Sequence, residues 1–196
     1  MTESPRNVLV DTATLLAAIG GAVLVCRDAG VALSPYSAAY VVSVLLVVRV
    51  ASLGVHELGH LLAAALGGWR WDVYKVGPLL LSRETGPLRV SLRGGRRFKA
   101  AGLVLTYPPS AEHDTRARHV LMLSGGPAAS ALFSLLAALA WRAVDVTSVR
   151  VAFGVASVFS AIVCVTTLLP FVSSGNLSDG ATILSLLREP RTGHAR

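Results

Sequence analysis

The chain has 196 residues, of which 53% are hydrophobic and 15% are charged, and its mean hydropathy is +0.62. Soluble domains are about one quarter charged, so this composition excludes an ordinary soluble domain and indicates a polytopic membrane protein. The formal net charge is +7, but the arginines lie between and beside apolar runs. We therefore expect the lipid bilayer as a partner and no nucleic acid. The two cysteines, Cys26 and Cys164, lie in or at the end of apolar segments and are interpreted as small hydrophobic residues.

Four apolar runs are long enough to span a bilayer, which takes about 20 residues in a helix. They cover residues 8–26, 36–66, 119–141 and 151–169. The first run is interpreted as a membrane anchor and not as a signal peptide, because Arg27 and Asp28 follow it without a small-residue cleavage pattern. We predict an all-α membrane protein with about four transmembrane helices, in a single domain covering residues 1–196.

The second run would form a helix of about 46 Å, longer than a hydrocarbon core of about 30 Å, so it tilts or its last turns emerge. Its C-terminal third contains His56-Glu57-Leu58-Gly59-His60. Histidines four residues apart on a helix project from one face, which suits two corners of a tetrahedral Zn²⁺ site. Glu57 follows the first of them and can act as a general base on a water at the metal. Ionisable residues inside a membrane span are costly and usually functional, which favours a metal site over a chance pattern.

Arg49 lies in the same run, seven residues before His56 and eleven before His60. Both offsets are within about 20° of a whole number of helical turns, so the three side chains share one face. Two interpretations stay open. Arg49 lines a polar cavity that admits water or substrate, or it extends toward the outer interface of the membrane.

Residues 69–118 form no span and carry ten of the eighteen Lys and Arg residues. Residues 88–93 alternate between apolar and polar, Gly94-Gly95 is a turn signal, and residues 97–100 resume the alternation. Further short strands are predicted at residues 73–76, 79–81 and 103–107. We expect a small β-sheet with an available edge at the membrane surface, within residues 69–107, rather than a basic loop at the headgroups.

The distribution of basic residues predicts the orientation in the membrane. With four spans, fourteen Lys and Arg residues fall on the side that holds both termini and the predicted sheet. The other side holds only Arg27, Arg142 and Arg150. By the positive-inside rule the termini and the sheet are cytoplasmic, and the histidine pair lies nearer that face.

A third metal ligand has to come from another part of the chain. His113 and His119 are candidates, but they lie in or beside a charged segment that is typical of an exposed surface. Asp179 follows a link rich in Gly, Asn and Ser and opens a short apolar helix predicted at residues 180–187. We favour Asp179 as the ligand, and the alternative for this residue is a helix N-cap, a position where Asp is common.

Three motifs together resemble the site-2 protease family of intramembrane zinc metalloproteases, peptidase family M50. They are His56-Glu57-x-x-His60, Gly125-Gly126-Pro127-Ala128-Ala129, and Leu168-Leu169-Pro170 followed by Ser178-Asp179-Gly180. The resemblance covers about residues 40–187, and the order and spacing of the motifs agree with the family. It implies Asp179 as the third zinc ligand and a membrane-associated β-structured region between the first two core helices.

The resemblance also implies a function. We expect a zinc-dependent endopeptidase that hydrolyses peptide bonds of membrane-spanning or membrane-tethered proteins, in regulated intramembrane proteolysis. Its substrate would be a transmembrane protein, and the enzyme would be a multi-pass protein of a bacterial cell membrane. The substrate's identity and the oligomeric state are not predicted.

Two positions depart from the family pattern. Ser130 and Thr167 stand where family members often have asparagines that help to hold the substrate or its oxyanion. Both hydroxyl groups can still donate a hydrogen bond, and Asn176 is close enough in sequence to Asp179 to substitute for one of the asparagines. We therefore predict a substrate or oxyanion role for Ser130, Thr167 and Asn176, with Arg49 as a further candidate.

Two other classes of protein remain possible from the sequence. One is a metal-binding membrane protein, of transporter-like or regulatory type, without protease activity. The other is a structural helical bundle in which the His-Glu-x-x-His pattern is fortuitous.

Overall fold

A computed structural model describes residues 5–32, 34–83, 86–92, 101–173 and 176–188. Most of these residues are helical. The helices are α1 Pro5–Asp28, α2 Pro35–Leu66, α3 Arg116–Ala143, α4 Thr147–Leu168 and α5 Asp179–Arg188. The strands are β1 Arg70–Val76, β2 Leu79–Ser82, β3 Arg89–Ser91, β4 Gly102–Tyr107, β5 Val172–Ser173 and β6 Asn176–Leu177. The prediction of a mostly helical chain with a small antiparallel sheet between its second and third long helices is therefore confirmed.

Three described helices, α2, α3 and α4, are long and apolar enough to cross a membrane. They correspond to the second, third and fourth predicted runs. The first predicted run falls in α1, and the side chains of its residues 8–11 lie outside the described part, so a fourth span stays a prediction. Large apolar side chains such as Leu46, Val47 and Leu135 are exposed on the helix surfaces, as a lipid-facing surface requires.

The long helix α2 has clear signals at both ends. Ser34 caps its N-terminus in a reciprocal pair of hydrogen bonds with Ser37, and Pro35 occupies the first helical position. Gly67 and Gly68 end it, and Gly68 has the left-handed φ of 77° that terminates a helix without steric cost. The 32 residues between these signals extend about 48 Å, so the histidine pair lies near one end of the span.

Close backbone contact joins α2 to α3. A Cβ added at Gly59 would lie 2.6 Å from Cβ of Ala129 and closer still to the carbonyl oxygen of Gly125. A Cβ at Gly125 would collide in turn with the carbonyl group of Gly59. Small residues permit this approach, and close van der Waals packing is the main attraction between helices in lipid.

Hydrogen bonds of buried and half-buried hydroxyls join α4 to the neighbouring helices. Ser52 Oγ of α2 lies 2.8 Å from Ser160 Oγ, and Ser134 Oγ of α3 donates to the carbonyl of Ser157 at 2.8 Å. The apolar core beside them joins α1, α2, α3 and α4 and includes Ala22, Val25, Cys26, Val48, Ala137, Val151, Val155 and Ala156. Cys26 and the half-buried Cys164 are free thiols, as expected for small hydrophobic residues.

The larger sheet has the antiparallel order β3-β2-β1-β4, so β3 and β4 are the outer strands among those described. Gly77, with a left-handed φ of 54°, allows the tight turn from β1 to β2. The hydroxyl of Tyr74 in β1 donates to the carbonyl of Gly54 at 2.8 Å, which attaches the sheet to α2 two residues before His56. The strands predicted at 73–76, 79–81 and 103–107 are confirmed, and the 88–93 strand is shorter, at 89–91. The predicted Gly94-Gly95 turn and residues 97–100 lie outside the described residues.

Substitution of Gly59 by Ala should destabilise the protein by about 1–3 kcal/mol, because the added methyl group overfills the contact with Gly125 and Ala129. Thermal unfolding in detergent would measure this change. The matched control is Gly20→Ala in α1, where a Cβ meets no atom within 4 Å. Equal unfolding temperatures for the two variants would contradict the proposed tight contact.

Candidate metal site

The two histidines of α2 face α3, and their Nε2 atoms lie close together. Nε2 of His56 is 3.1 Å from Nε2 of His60, and the rings meet edge to face with centroids 4.8 Å apart. His56 is 4% exposed and His60 is 7% exposed. The i, i+4 spacing on the helix therefore produces the shared face that the sequence predicts.

Asp179 completes the group from the first turn of α5. Its Oδ2 lies 3.2 Å from Nε2 of His56 and 3.5 Å from Nε2 of His60. In the part of the chain that the structure describes, His56, His60 and Asp179 are a group that could hold a metal ion. Three ligand atoms from two distant segments thus meet at one point.

The other two candidate ligands lie elsewhere. The backbone carbonyl of His113 accepts a hydrogen bond from Nε1 of Trp69 at 3.1 Å, and the ring of His119 packs edge to face on the Trp69 ring at 4.6 Å. His119 Nδ1 also lies 3.4 Å from a carboxylate oxygen of Asp114. Both histidines therefore belong to the junction between the end of α2 and the start of α3.

Ser178 positions Asp179 by capping α5. Its Oγ accepts from the backbone N–H of Ala181 at 3.1 Å and from that of Phe171 at 3.2 Å, and donates to the carbonyl of Leu169 at 2.6 Å. The alternative interpretation of Asp179 as the N-cap is therefore wrong, because Ser178 occupies that position.

The backbone at Gly180 packs directly against the end of α4. A Cβ there would lie 3.0 Å from Cα of Leu168 and would collide with its carbonyl group, so only glycine allows this approach. The Asp-Gly sequence is thus explained residue by residue. Asp179 supplies the ligand atom, and Gly180 lets the backbone come close enough to deliver it.

The carboxyl group of Asp179 is ionised at neutral pH. Burial alone would raise its pKa, but hydrogen bonds and charge from the rings of His56 and His60, when these are protonated at Nε2, outweigh burial and lower the pKa from 3.8 to about 2. A carboxylate has to be deprotonated to bind a metal. The charge state of Asp179 therefore fits the role of ligand.

The Nδ1 atoms of both imidazoles form hydrogen bonds with groups of α3. His60 Nδ1 lies 2.8 Å from the carbonyl oxygen of Met122, which can only accept, so Nδ1 carries a hydrogen. In the neutral ring, the form that binds a metal, Nε2 then has the lone pair. His56 Nδ1 lies 3.0 Å from Oγ of Ser130. Hydrogen bonds of this kind orient histidine ligands toward a metal. The two Nε2 atoms then face a carboxylate at close range, an arrangement that a cation between them would stabilise.

Gly126 leaves room for the rings. A Cβ added at this position would lie 2.6 Å from Cε1 of His60 and 2.8 Å from Cε1 of His56. The sequence predicts neither these contacts of the Gly125-Gly126-Pro127 motif nor the hydrogen bond of Met122 with His60. The signals for Gly126 in the sequence were that motif and the density of small residues in the third run.

Glu57 lies beneath the sheet. It is 9% exposed, and a Cβ added at Gly102, the first residue of β4, would lie 2.9 Å from both Cγ and Cδ of Glu57. Lys75 of β1 is also buried and acts electrostatically on Glu57. The start of β4 thus packs directly on the carboxylate that follows the first histidine.

The remaining predicted residues are placed as follows. Arg49 is exposed on α2, about 10 Å along the helix from His56. The hydroxyl of Thr167 donates to the carbonyl of Val163 in its own helix at 2.9 Å. Asn176 lies in β6, but its side chain is outside the described part of the structure. Contact of these residues with a substrate stays a prediction.

Comparison of the chain with known protein families, with curated proteins and with solved structures finds no match. The case for a function therefore depends on the chemistry of the site.

Asp179→Asn should weaken metal binding by more than about 100-fold, because it removes a ligand charge and not only a supporting hydrogen bond. Competition with a chelator, using Zn²⁺ as the probe and the full chain in detergent, would measure the affinity. Asp145→Asn, at an exposed position between α3 and α4, is the matched control. His119→Ala should also bind normally, and a loss in that variant would instead favour His119 as the ligand.

Proposed function

We propose that the chain is a zinc-dependent intramembrane endopeptidase of the site-2 protease type, acting on membrane-spanning or membrane-tethered proteins. The observation that carries the proposal is the meeting of His56, His60 and Asp179, with Glu57 beside the first ligand, near one end of a membrane-spanning helix. Proteases with a His-Glu-x-x-His helix use this combination of two histidines, a third ligand and a glutamate base.

Zinc fits the dimensions of the ligand group. Bonds of about 2.0–2.1 Å to nitrogen and oxygen, directed to the corners of a tetrahedron, put the ligand atoms about 3.3–3.4 Å apart. The three separations in this structure are 3.1, 3.2 and 3.5 Å. Three protein ligands would leave the fourth corner open, which is typical of a catalytic and not of a structural zinc site.

Glu57 would move the proton in this reaction. Zn²⁺, when bound, supplies Lewis acidity that activates a water and polarises the scissile carbonyl. The Glu57 carboxylate takes a proton from the water as the water oxygen bonds to the carbonyl carbon. It then gives that proton to the amide nitrogen as the C–N bond breaks, which leaves a carboxylic acid end and a free amine.

The sheet would present the substrate. Peptide bonds in a transmembrane helix are protected by the helix's own hydrogen bonds, so a substrate has to unwind locally before cleavage. The outer strand β4 begins at Gly102, in contact with Glu57, and its second edge is not paired with another described strand. An unwound segment could add to that edge through backbone hydrogen bonds, largely without regard to its sequence.

The proposal includes an orientation. If α1 is the fourth span, fourteen basic residues lie on the side of the termini and the sheet, which supports a cytoplasmic location for that side. We propose a bacterial cell membrane as the location. Cleavage would then occur near the cytoplasmic end of the substrate's span, because the metal group lies in the last third of α2.

A metal-binding protein without protease activity is the second candidate. The burial of His56, His60 and Glu57 favours it, because a buried site restricts the access of water and of a peptide to the metal. The two functions differ in what Glu57 has to do. A protease needs its carboxylate for proton transfer, whereas a purely structural site does not.

Glu57→Gln should reduce cleavage by about 10²–10⁴-fold while zinc stays bound, because it removes the general base and no ligand. The measurement is the accumulation of membrane-tethered fragments in cells, together with the zinc content of the purified protein. Glu112→Gln, at an exposed position after the sheet, is the matched control and should cleave normally.

Two outcomes would contradict the protease. Zinc-loaded wild type that leaves every single-span test substrate intact would support the metal-binding alternative. Purified wild type without stoichiometric zinc would exclude both metal-dependent functions and favour a structural bundle.

A further inference from the structure

We propose that Ser130 is a positioning residue for the metal ligand His56, and not a group that contacts the substrate or its oxyanion. The inference rests on the metal-binding part of the proposed function and assigns the site a dependence on α3 that the ligands alone do not show. Its evidence is the location of the Ser130 hydroxyl relative to the two nitrogens of one imidazole ring.

The Ser130 hydroxyl lies on the side of the His56 ring that faces away from Asp179. Its Oγ is 3.0 Å from Nδ1 of His56, whereas Nε2 of the same ring lies 3.2 Å from Oδ2 of Asp179. The two nitrogens point to different sides of an imidazole, so Ser130 and the metal position lie on opposite sides of the ring. Ser130 is also 0% exposed, and its neighbours in the site, His56 and Gly126, are packed together. A substrate carbonyl at the metal would therefore have the imidazole between itself and the hydroxyl.

The hydrogen bond has a defined direction when the metal is bound. Nε2 of His56 then uses its lone pair on the metal, so a neutral ring carries its hydrogen on Nδ1. That N–H donates to Oγ of Ser130, which is the only acceptor within hydrogen-bonding distance that the described residues offer it. Without the hydroxyl the ring would have a buried N–H and no partner, and burying an unpaired donor is costly.

The two ligands differ in how their Nδ1 atoms are held. His60 depends on the backbone carbonyl of Met122, which no side-chain substitution removes. His56 depends on a side chain. A side-chain substitution can therefore remove the hydrogen bond at His56 but not the one at His60. Substitution of Ser130 removes the bond at His56.

The test is the zinc affinity of Ser130→Ala, measured by chelator competition on the full chain in detergent with Zn²⁺ as the probe. We expect a loss of about 10- to 100-fold, the range for removing the hydrogen-bond partner of a histidine ligand. Ser130→Cys keeps the side-chain size but offers a weaker acceptor, so its affinity should fall between those of wild type and Ser130→Ala.

Ser160→Ala is the matched control. Ser160 is also 0% exposed in a spanning helix, and among the described residues its Oγ pairs with Oγ of Ser52 at 2.8 Å and not with a metal ligand. Its zinc affinity should stay within about threefold of wild type, because general packing is altered but the ligand set is not. Thermal unfolding of the metal-free variants measures the packing change separately.

Three results would overturn the inference. Wild-type zinc affinity in Ser130→Ala is the first, and an equal loss in Ser160→Ala is the second, since it would trace the effect to packing. The third is cleavage that stays deficient in Ser130→Ala when saturating zinc fully occupies the site, which is the result for an oxyanion group. Failure of the proposed function is distinguishable from all three, because it would appear in the wild type as missing zinc or missing cleavage.

Discussion

The approach of α2 to α3 at Gly59 and Gly125 is the constraint on which the site depends. Two backbones in contact at this point bring the Nδ1 atoms of both histidines within reach of groups on α3, one a carbonyl and one a hydroxyl. If larger residues separated the helices by a few ångströms, both hydrogen bonds would be lost together. The glycines on α2 and α3 therefore contribute to the geometry of the site as well as to packing. In lipid, where no hydrophobic force draws helices together, their close van der Waals contact is what keeps α2 beside α3.

The third ligand, Asp179, is held by local backbone contacts and not by the packing of two long helices. Asp179 comes from a ten-residue helix in which no residue is fully buried, so packing alone holds α5 weakly. The capping hydrogen bonds of Ser178 and the contact of Gly180 with the end of α4 make up for this by fixing the backbone on either side of the ligand. The site thus combines two ligands on a rigid membrane helix with one on a short, locally braced segment.

Much of the fold could be predicted from the sequence because its signals are local. Apolar length identified three helices able to span a membrane, alternation identified the strand at residues 89–91, and the i, i+4 histidines needed only helical geometry. Asp179 was selected because the site needed a third ligand and the two loop histidines lay in a charged segment. The partners of the ring nitrogens could not be predicted, because they depend on which residues of α3 face α2. The contact of Gly102 with Glu57 could not be predicted either, since it requires the sheet to fold back onto the helix.

That contact has a kinetic consequence. Gly102 covers the Glu57 carboxylate on the side of β4, so a reaction that needed a water and a peptide on that side would require the start of β4 to move away from α2. The rate of any reaction here is then the rate in the separated state multiplied by its population. A separated state populated at 1% would cost about a factor of one hundred in turnover and would limit unselective hydrolysis. A segment that pairs with the sheet could offset this cost by binding the separated state preferentially.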